Sequence, residues 1–230
     1  MKRRAALMAL AAAALPLRAQ TAKPLQAVAS FSLLADMARE VAGDAAEVHS
    51  LVGPNADAHV FEPRPADAQR LAKADLVVVN GLHFEGWIER LVRSSGYRGP
   101  LVVASAGITP RRAGTGVDPH AWQSLVHAQR YVENIRAALV KAAPTQAAAI
   151  DTRARAYTAR LAALDARARA AFDAIPREQR RVVSTHDAFG YLGDAYGVSF
   201  IAPRSWNTES EASAAGVAAV IRELRRHQAH

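Results

Sequence analysis

At 230 residues, half of them hydrophobic, the chain is long enough for one large domain or two smaller lobes around a sizeable core. It has no cysteine, which excludes disulfides and thiolate metal ligands, and its only long apolar run lies at the N-terminus, which argues against a transmembrane helix in the mature protein. The net charge of +8 becomes +4 once residues 1–19 are set aside, since they hold four basic residues and no acidic one; Arg153, Arg155, Arg160, Arg167 and Arg169 then read as a solvated helix surface, and no nucleic-acid partner is expected.

Lys2, Arg3 and Arg4, then an apolar stretch rich in Ala and Leu, Pro16 and the small Ala19 have the layout of a secretory signal peptide over residues 1–19. The lack of cysteine also removes the residue a lipid anchor at that junction would need, so a soluble protein of the periplasm is expected. Residues 25–29 form the first predicted strand, followed by a helix carrying Leu33, Leu34, Met37, Ala38 and Val41. A second strand over 47–52, holding His49, ends at Gly53-Pro54-Asn55, a turn that leads into Asp57-Ala58-His59-Val60-Phe61-Glu62-Pro63. Residues 65–73 are predicted helical with Pro65 in the first turn, 76–79 a buried strand, 85–93 a helix, 101–104 a strand and 111–116 a flexible loop.

Asp118-Pro119-His120-Ala121-Trp122 opens a predicted helix over 122–142, which Pro144 interrupts. From 145 to 172 the positions Ile150, Ala154, Tyr157, Leu161, Leu164, Ala168 and Phe172 recur at steps of three and four, one stripe of a single helix roughly 42 Å long. Beyond Pro176 come a strand over 181–184, Ser184-Thr185-His186-Asp187, a helix over 189–196, a strand over 198–201 and a helix over 209–226. The alternation predicts an α/β fold: two lobes of parallel sheet with flanking helices, joined by one long helix. The expected division is an N-terminal lobe over 20–143, a linker helix over 144–175 and a partial C-terminal lobe over 176–230, whose two strands are too few for an independent core.

His59, His120 and His186 each follow a strand or loop end, the edge where open parallel sheets place their ligands. Three neutral imidazoles converging from such distant positions would make a site for a borderline divalent metal, with Asp57, Asp118 and Asp187 available to orient the rings. Affinity for metal should then fall below about pH 6.5, the ordinary histidine pKa. His83 and His127 are secondary candidates for lining the same crevice, and His227 and His230 lie in the tail.

The segments around these histidines, with Asn80-Gly81-Leu82, Phe84-Glu85, Trp87, Ala188-Phe189 and Thr208-Glu209-Ser210-Glu211, resemble the periplasmic zinc- and manganese-binding solute-binding proteins of metal ABC importers. The resemblance spans most of the chain. It implies two lobes joined by a long helix, His59, His120 and His186 as three metal ligands, an ABC permease in the inner membrane as partner, and a monomer without enzymatic activity. It also implies a fourth ligand, an aspartate, beyond the last residue here, hence a C-terminally truncated chain. Three imidazoles and one oxygen favour Zn²⁺; Mn²⁺ is the alternative. Two other functional readings are a non-functional remnant of such a receptor and a zinc hydrolase, for which Asp187 or Glu62 would have to serve as base in the absence of a His-Glu-x-x-His helix. Glu209 and Glu211 read as acids opening the last helix behind a Thr208 cap, with Glu211 a further ligand candidate.

Overall fold

The computed structural model describes residues 23–113, 116–203 and 213–226. Strand β1 (Leu25–Phe31), helix α1 (Ser32–Ala42), β2 (Ala46–Val52), α2 (Pro65–Ala72), β3 (Leu76–Val79), α3 (Ile88–Ser95) and β4 (Leu101–Val103) build a four-stranded parallel sheet in the order β2-β1-β3-β4. β1 leads to β2 on one side and the chain then returns to β3 on the other. Right-handed crossovers in opposite directions put their helices on opposite faces of the sheet. α2 accordingly packs with α3, and α1 with α4 (Leu125–Ala142) and α5 (Ala147–Asp173). Covered on both faces, β3 is buried at all four of its residues, which is why Leu76-Val77-Val78-Val79 reads as an unbroken apolar run.

The reversal of direction between β1 and β3 opens a crevice at the carboxyl ends of the strands. Into that edge run the loop after β2, the loop after β3 and the segment before α4.

Three expectations are corrected at the level of elements. Residues 111–116 are not simply a loop: β5 (Arg112–Ala113) and β6 (Gly116–Val117) pair antiparallel. The helix predicted from residue 85 begins at Ile88, because the Glu85 carboxylate is occupied with backbone N–H groups of the preceding loop. The helix predicted from Trp122 begins at Leu125, after a single 3₁₀ turn over Ala121–Gln123.

α5 is 27 residues long, about 40 Å at 1.5 Å per residue. Its first half rests on α1 and α4 through Ile150, Ala154 and Leu161, and Arg153 donates to the carbonyls of Val41 and Ala42 at the end of α1. Its second half reaches α6 (Gly190–Tyr196), where the Asp165 carboxylate accepts the Tyr196 hydroxyl and Arg169 donates to the Ala195 carbonyl. Leu164, expected on the buried stripe, is exposed; the inward position is taken by Asp165, whose carboxylate has Tyr196 and Arg169 as partners.

β7 (Arg181–Val183), α6 and β8 (Ser199–Ile201) form a small parallel β-α-β unit, followed by α7 (Ala214–Arg226). Val182 and Val183 are exposed, as are Val217, Ile221 and Leu224 on α7. Residues 1–22 and 204–212, which carry the expected signal peptide and Glu209 and Glu211, lie outside the described residues, as do His227 and His230. No helix among the described residues is long and apolar enough to cross a membrane.

Candidate metal centre

The loop after β2 carries His59 into the crevice. Asp57 accepts the backbone N–H of His59 at 2.9 Å, a local turn of the kind short acids make, and the Trp87 indole donates to the Ala58 carbonyl at 2.8 Å. His120 comes from the segment between β6 and α4, and His186 from the turn between β7 and α6, where the Ser184 hydroxyl donates to the His186 carbonyl.

The three rings meet. One ligand nitrogen from each of His59, His120 and His186 lies within 4.8 Å of the others, and among the described residues they make up the one group of three or more metal-type donors. The Nε2 atoms of His59 and His120 are 3.1 Å apart. Two nitrogens bound at about 2.0–2.1 Å to one tetrahedral ion would stand roughly 3.3 Å apart, so this pair already has the spacing of two ligands of a common ion. His59 and His120 are buried, while His186 is half-buried on the side of the β-α-β unit.

Asp118, with no exposure to solvent, accepts hydrogen bonds on Oδ1 from the His120 Nδ1–H at 2.8 Å and the His120 backbone N–H at 2.9 Å. That fixes the tautomer of His120 with Nε2 as the free donor, the arrangement a metal-bound imidazole needs. Of the three acids expected to orient the rings, Asp118 does so directly, and Asp57 acts on the His59 backbone.

Aromatic rings wall the imidazoles. Phe84 stands 4.5 Å from His59 and 5.9 Å from His120, Trp122 stands 5.3 Å from His120, and Phe31 packs on both Phe84 and Trp122. Burial, with His120 and His186 adding to it, pulls the His59 pKa down from 6.5 to about 4, against an opposing pull from Asp57. At His59 the proton competition expected near the ordinary histidine pKa therefore moves well below it.

A polar cluster that sequence reasoning did not single out as functional supports this wall. The Glu85 carboxylate, buried, accepts the Ser30 hydroxyl and the backbone N–H groups of Asn80 and Gly81. Asn80 donates to the Pro119 carbonyl, beside His120, and accepts the Tyr131 hydroxyl at 2.6 Å. The loop so held runs through three successive positive φ angles, at Gly81, Leu82 and His83, before delivering Phe84 to the imidazoles. The Asn80-Gly81 dipeptide was the legible signal, since it marks a turn after a buried strand.

The secondary histidines do not join the three donors. His83 is exposed on that loop, and His127 lies against Tyr191 with ring centroids 5.2 Å apart, its Nδ1 without a hydrogen-bond partner among the described residues. Burial lowers the pKa of His127.

Among protein families, residues 27–230 match the one described as zinc-uptake complex component A, periplasmic. The chain belongs to that family. Its members are solute-binding receptors of metal ABC importers and not enzymes, so the hydrolase reading falls away. The chain is 36% identical over 213 residues to the iron-binding protein YfeA of Yersinia pestis, a match covering 90% of this chain and 68% of YfeA. It is 31% identical over 214 residues to the manganese ABC transporter substrate-binding lipoprotein PsaA of Streptococcus pneumoniae, covering 88% of this chain and 69% of that protein. The periplasmic zinc-binding protein TroA from Treponema pallidum has the same architecture, with a TM-score of 0.84 at 27% identity over 89% of this chain and 76% of TroA. The chain thus spans about two thirds of the length of these curated relatives.

Proposed function

We propose that this zinc-uptake-family receptor captures a divalent transition metal on His59, His120 and His186 and delivers it to the permease of an ABC importer from the periplasmic side of the membrane. The observation that carries the reading is the convergence of three imidazole nitrogens to within 4.8 Å from positions 61 and 66 residues apart. Zn²⁺ is the cargo this donor set favours and Mn²⁺ the alternative. The similar proteins named above include an iron-binding, a manganese and a zinc-binding protein, so the preference for zinc rests on the imidazoles themselves.

Capture begins with donors that are ready. His59, with its pKa near 4, presents a neutral ring at neutral pH, and Asp118 holds the His120 proton on Nδ1. A cation then enters a cleft of about 400 Å³ lined by Phe31, Phe84 and Trp122 besides the histidines. Residues 20–143 act as the metal-binding lobe, 144–175 as a stiff linker helix and 176–230 as the part of a second lobe that brings His186. A stiff linker favours release through small tilts of that unit over wide hinge opening. The receptor works as a monomer, which light scattering after size exclusion checks.

The test is isothermal titration of the protein with Zn²⁺, Mn²⁺ and Fe²⁺. Zinc should bind tightest, and each of His59→Ala, His120→Ala and His186→Ala should weaken it by at least a hundredfold. Unchanged zinc affinity in all three variants would exclude the site.

A further inference from the structure

The Asp118 carboxylate is completely buried, yet His120 uses only one of its oxygens. The second oxygen, Oδ2, faces Arg111, whose Nη1 lies 3.5 Å away. A carboxylate buried this deeply needs a cationic or hydrogen-bonding partner on each side, and Arg111 provides the far one.

Arg111 is itself fixed from several directions. Its Nε pairs with Asp194 on α6 at 2.9 Å, and its backbone N–H donates to the Tyr191 hydroxyl, also on α6, at 2.8 Å. The same Tyr191 hydroxyl donates to the Asp118 carbonyl at 3.2 Å, and the Asp118 N–H donates to the Arg111 carbonyl at 2.9 Å. The guanidinium passes directly over Gly190, where a Cβ would stand 2.3 Å from Nη1. Any side chain at residue 190 would occupy the space the guanidinium now fills.

We propose that Arg111 is a positioning residue for His120: lodged between Asp118 and Asp194 across Gly190, it holds the Asp118 carboxylate against the imidazole and ties that geometry to α6. The consequence joins the two sides of the site. His120 is placed from the segment before α4, and His186 stands four residues ahead of Gly190, at the entrance to α6. Arg111 links them, so the orientation of His120 depends on where α6 sits. This deepens the proposed function and rests on His120 being a ligand; the orientation of the ring by Arg111 can be read without metal.

The experiment compares Arg111→Gln, Arg111→Lys and Gly190→Ala with the unaltered protein. Gly190→Ala displaces the guanidinium without changing the identity of any charged or histidine residue. Zn²⁺ affinity should fall about ten- to a hundredfold in Arg111→Gln and Gly190→Ala, the range for groups that orient a metal-binding histidine. Arg111→Lys, a point charge without the planar fork, should recover part of the loss. Two spectroscopic signatures separate positioning from general stability: the visible d–d bands of the Co²⁺-loaded protein, and the His120 Nδ1–H resonance of the metal-free protein. Both should change in Arg111→Gln and Gly190→Ala at temperatures where circular dichroism shows them folded. Wild-type zinc affinity, Co²⁺ bands and Nδ1–H resonance in the folded variants would overturn the proposal. If the unaltered protein binds no metal, the capture reading fails, and the Nδ1–H resonance still decides the role of Arg111.

Discussion

At His59 the burial that keeps the ring ready for a cation also makes protonation costly to the fold. The ring titrates near 4 in the folded protein and near 6.5 when unfolded. Between those values the unfolded chain binds more protons, so stability rises with pH in that window and is lost as pH falls from 6.5 toward 4. Thermal melts of the metal-free protein should show the midpoint dropping across that window, with a shallower drop in His59→Gln. Equal slopes in the two proteins would assign the acid sensitivity to other groups. Glu85 is held in the opposite sense: burial pushes its carboxyl pKa up, although the Ser30 hydroxyl and the Asn80 and Gly81 N–H groups pull it back. Glu85→Ala strands those three donors in the interior. It should destabilise the protein by about 3 kcal/mol in urea titration, given roughly 1–3 kcal/mol for an unsatisfied buried polar group.

At the scale of elements, α5 shows how a periodic pattern can be right in kind and slip in phase. Steps of three and four identified a long amphipathic helix, and Ile150, Ala154 and Leu161 are buried as that pattern requires. Leu164 is 40% exposed because contact with α6 selects the next position, where Asp165 receives the Tyr196 hydroxyl. Ile150→Ala should therefore cost about 3 kcal/mol, a typical loss for a fully buried aliphatic chain, whereas Leu164→Ala should stay within about 0.5 kcal/mol. Chemical denaturation of the two variants separates the phases: similar losses at both positions would restore the original stripe. The β5–β6 pair was missed for a related reason. A two-residue strand carries no periodicity, so nothing along the chain marks Arg112–Ala113 or Gly116–Val117 as strand.

For the whole molecule, the distribution of burial predicts an order of opening. The central strands β1 and β3 of the four-stranded sheet are buried along most of their length, with exposure confined to residues such as Leu101 and Val103 on the edge strand β4, while the small β7–β8 pair leaves Val182 and Val183 at 43% and 44% exposure. A two-stranded unit with so little cover depends on its attachments to α5, to Arg111 and, under the proposed function, to a shared metal ion. Amide hydrogen exchange should therefore be fastest in β7, α6 and β8 and slowest in β1 and β3. Zinc should protect residues 181–201 more than any other described segment, because His186 joins that unit to the rest. Ligand at a hundredfold excess over its dissociation constant should also add about 2.7 kcal/mol to stability. Zinc protection confined to the four-stranded sheet would remove His186 from the site.

Much of this protein could be read along the chain. Alternating apolar runs and amphipathic stretches determined the α/β class, the parallel sheet and the long helix, because the strand and helix periods are local properties of the sequence. The three histidines stood out for the same reason, each beside a turn-forming or helix-opening segment. Their approach to within 4.8 Å was decided by topology: the reversal between β1 and β3 opens one crevice, and only the folded chain brings three separate loops to it. Tertiary structure alone also chose Asp118 to orient His120, lowered the pKa of His59, and laid Arg111 across Gly190. Burial and proximity are properties of space, and no spacing in the sequence encodes them.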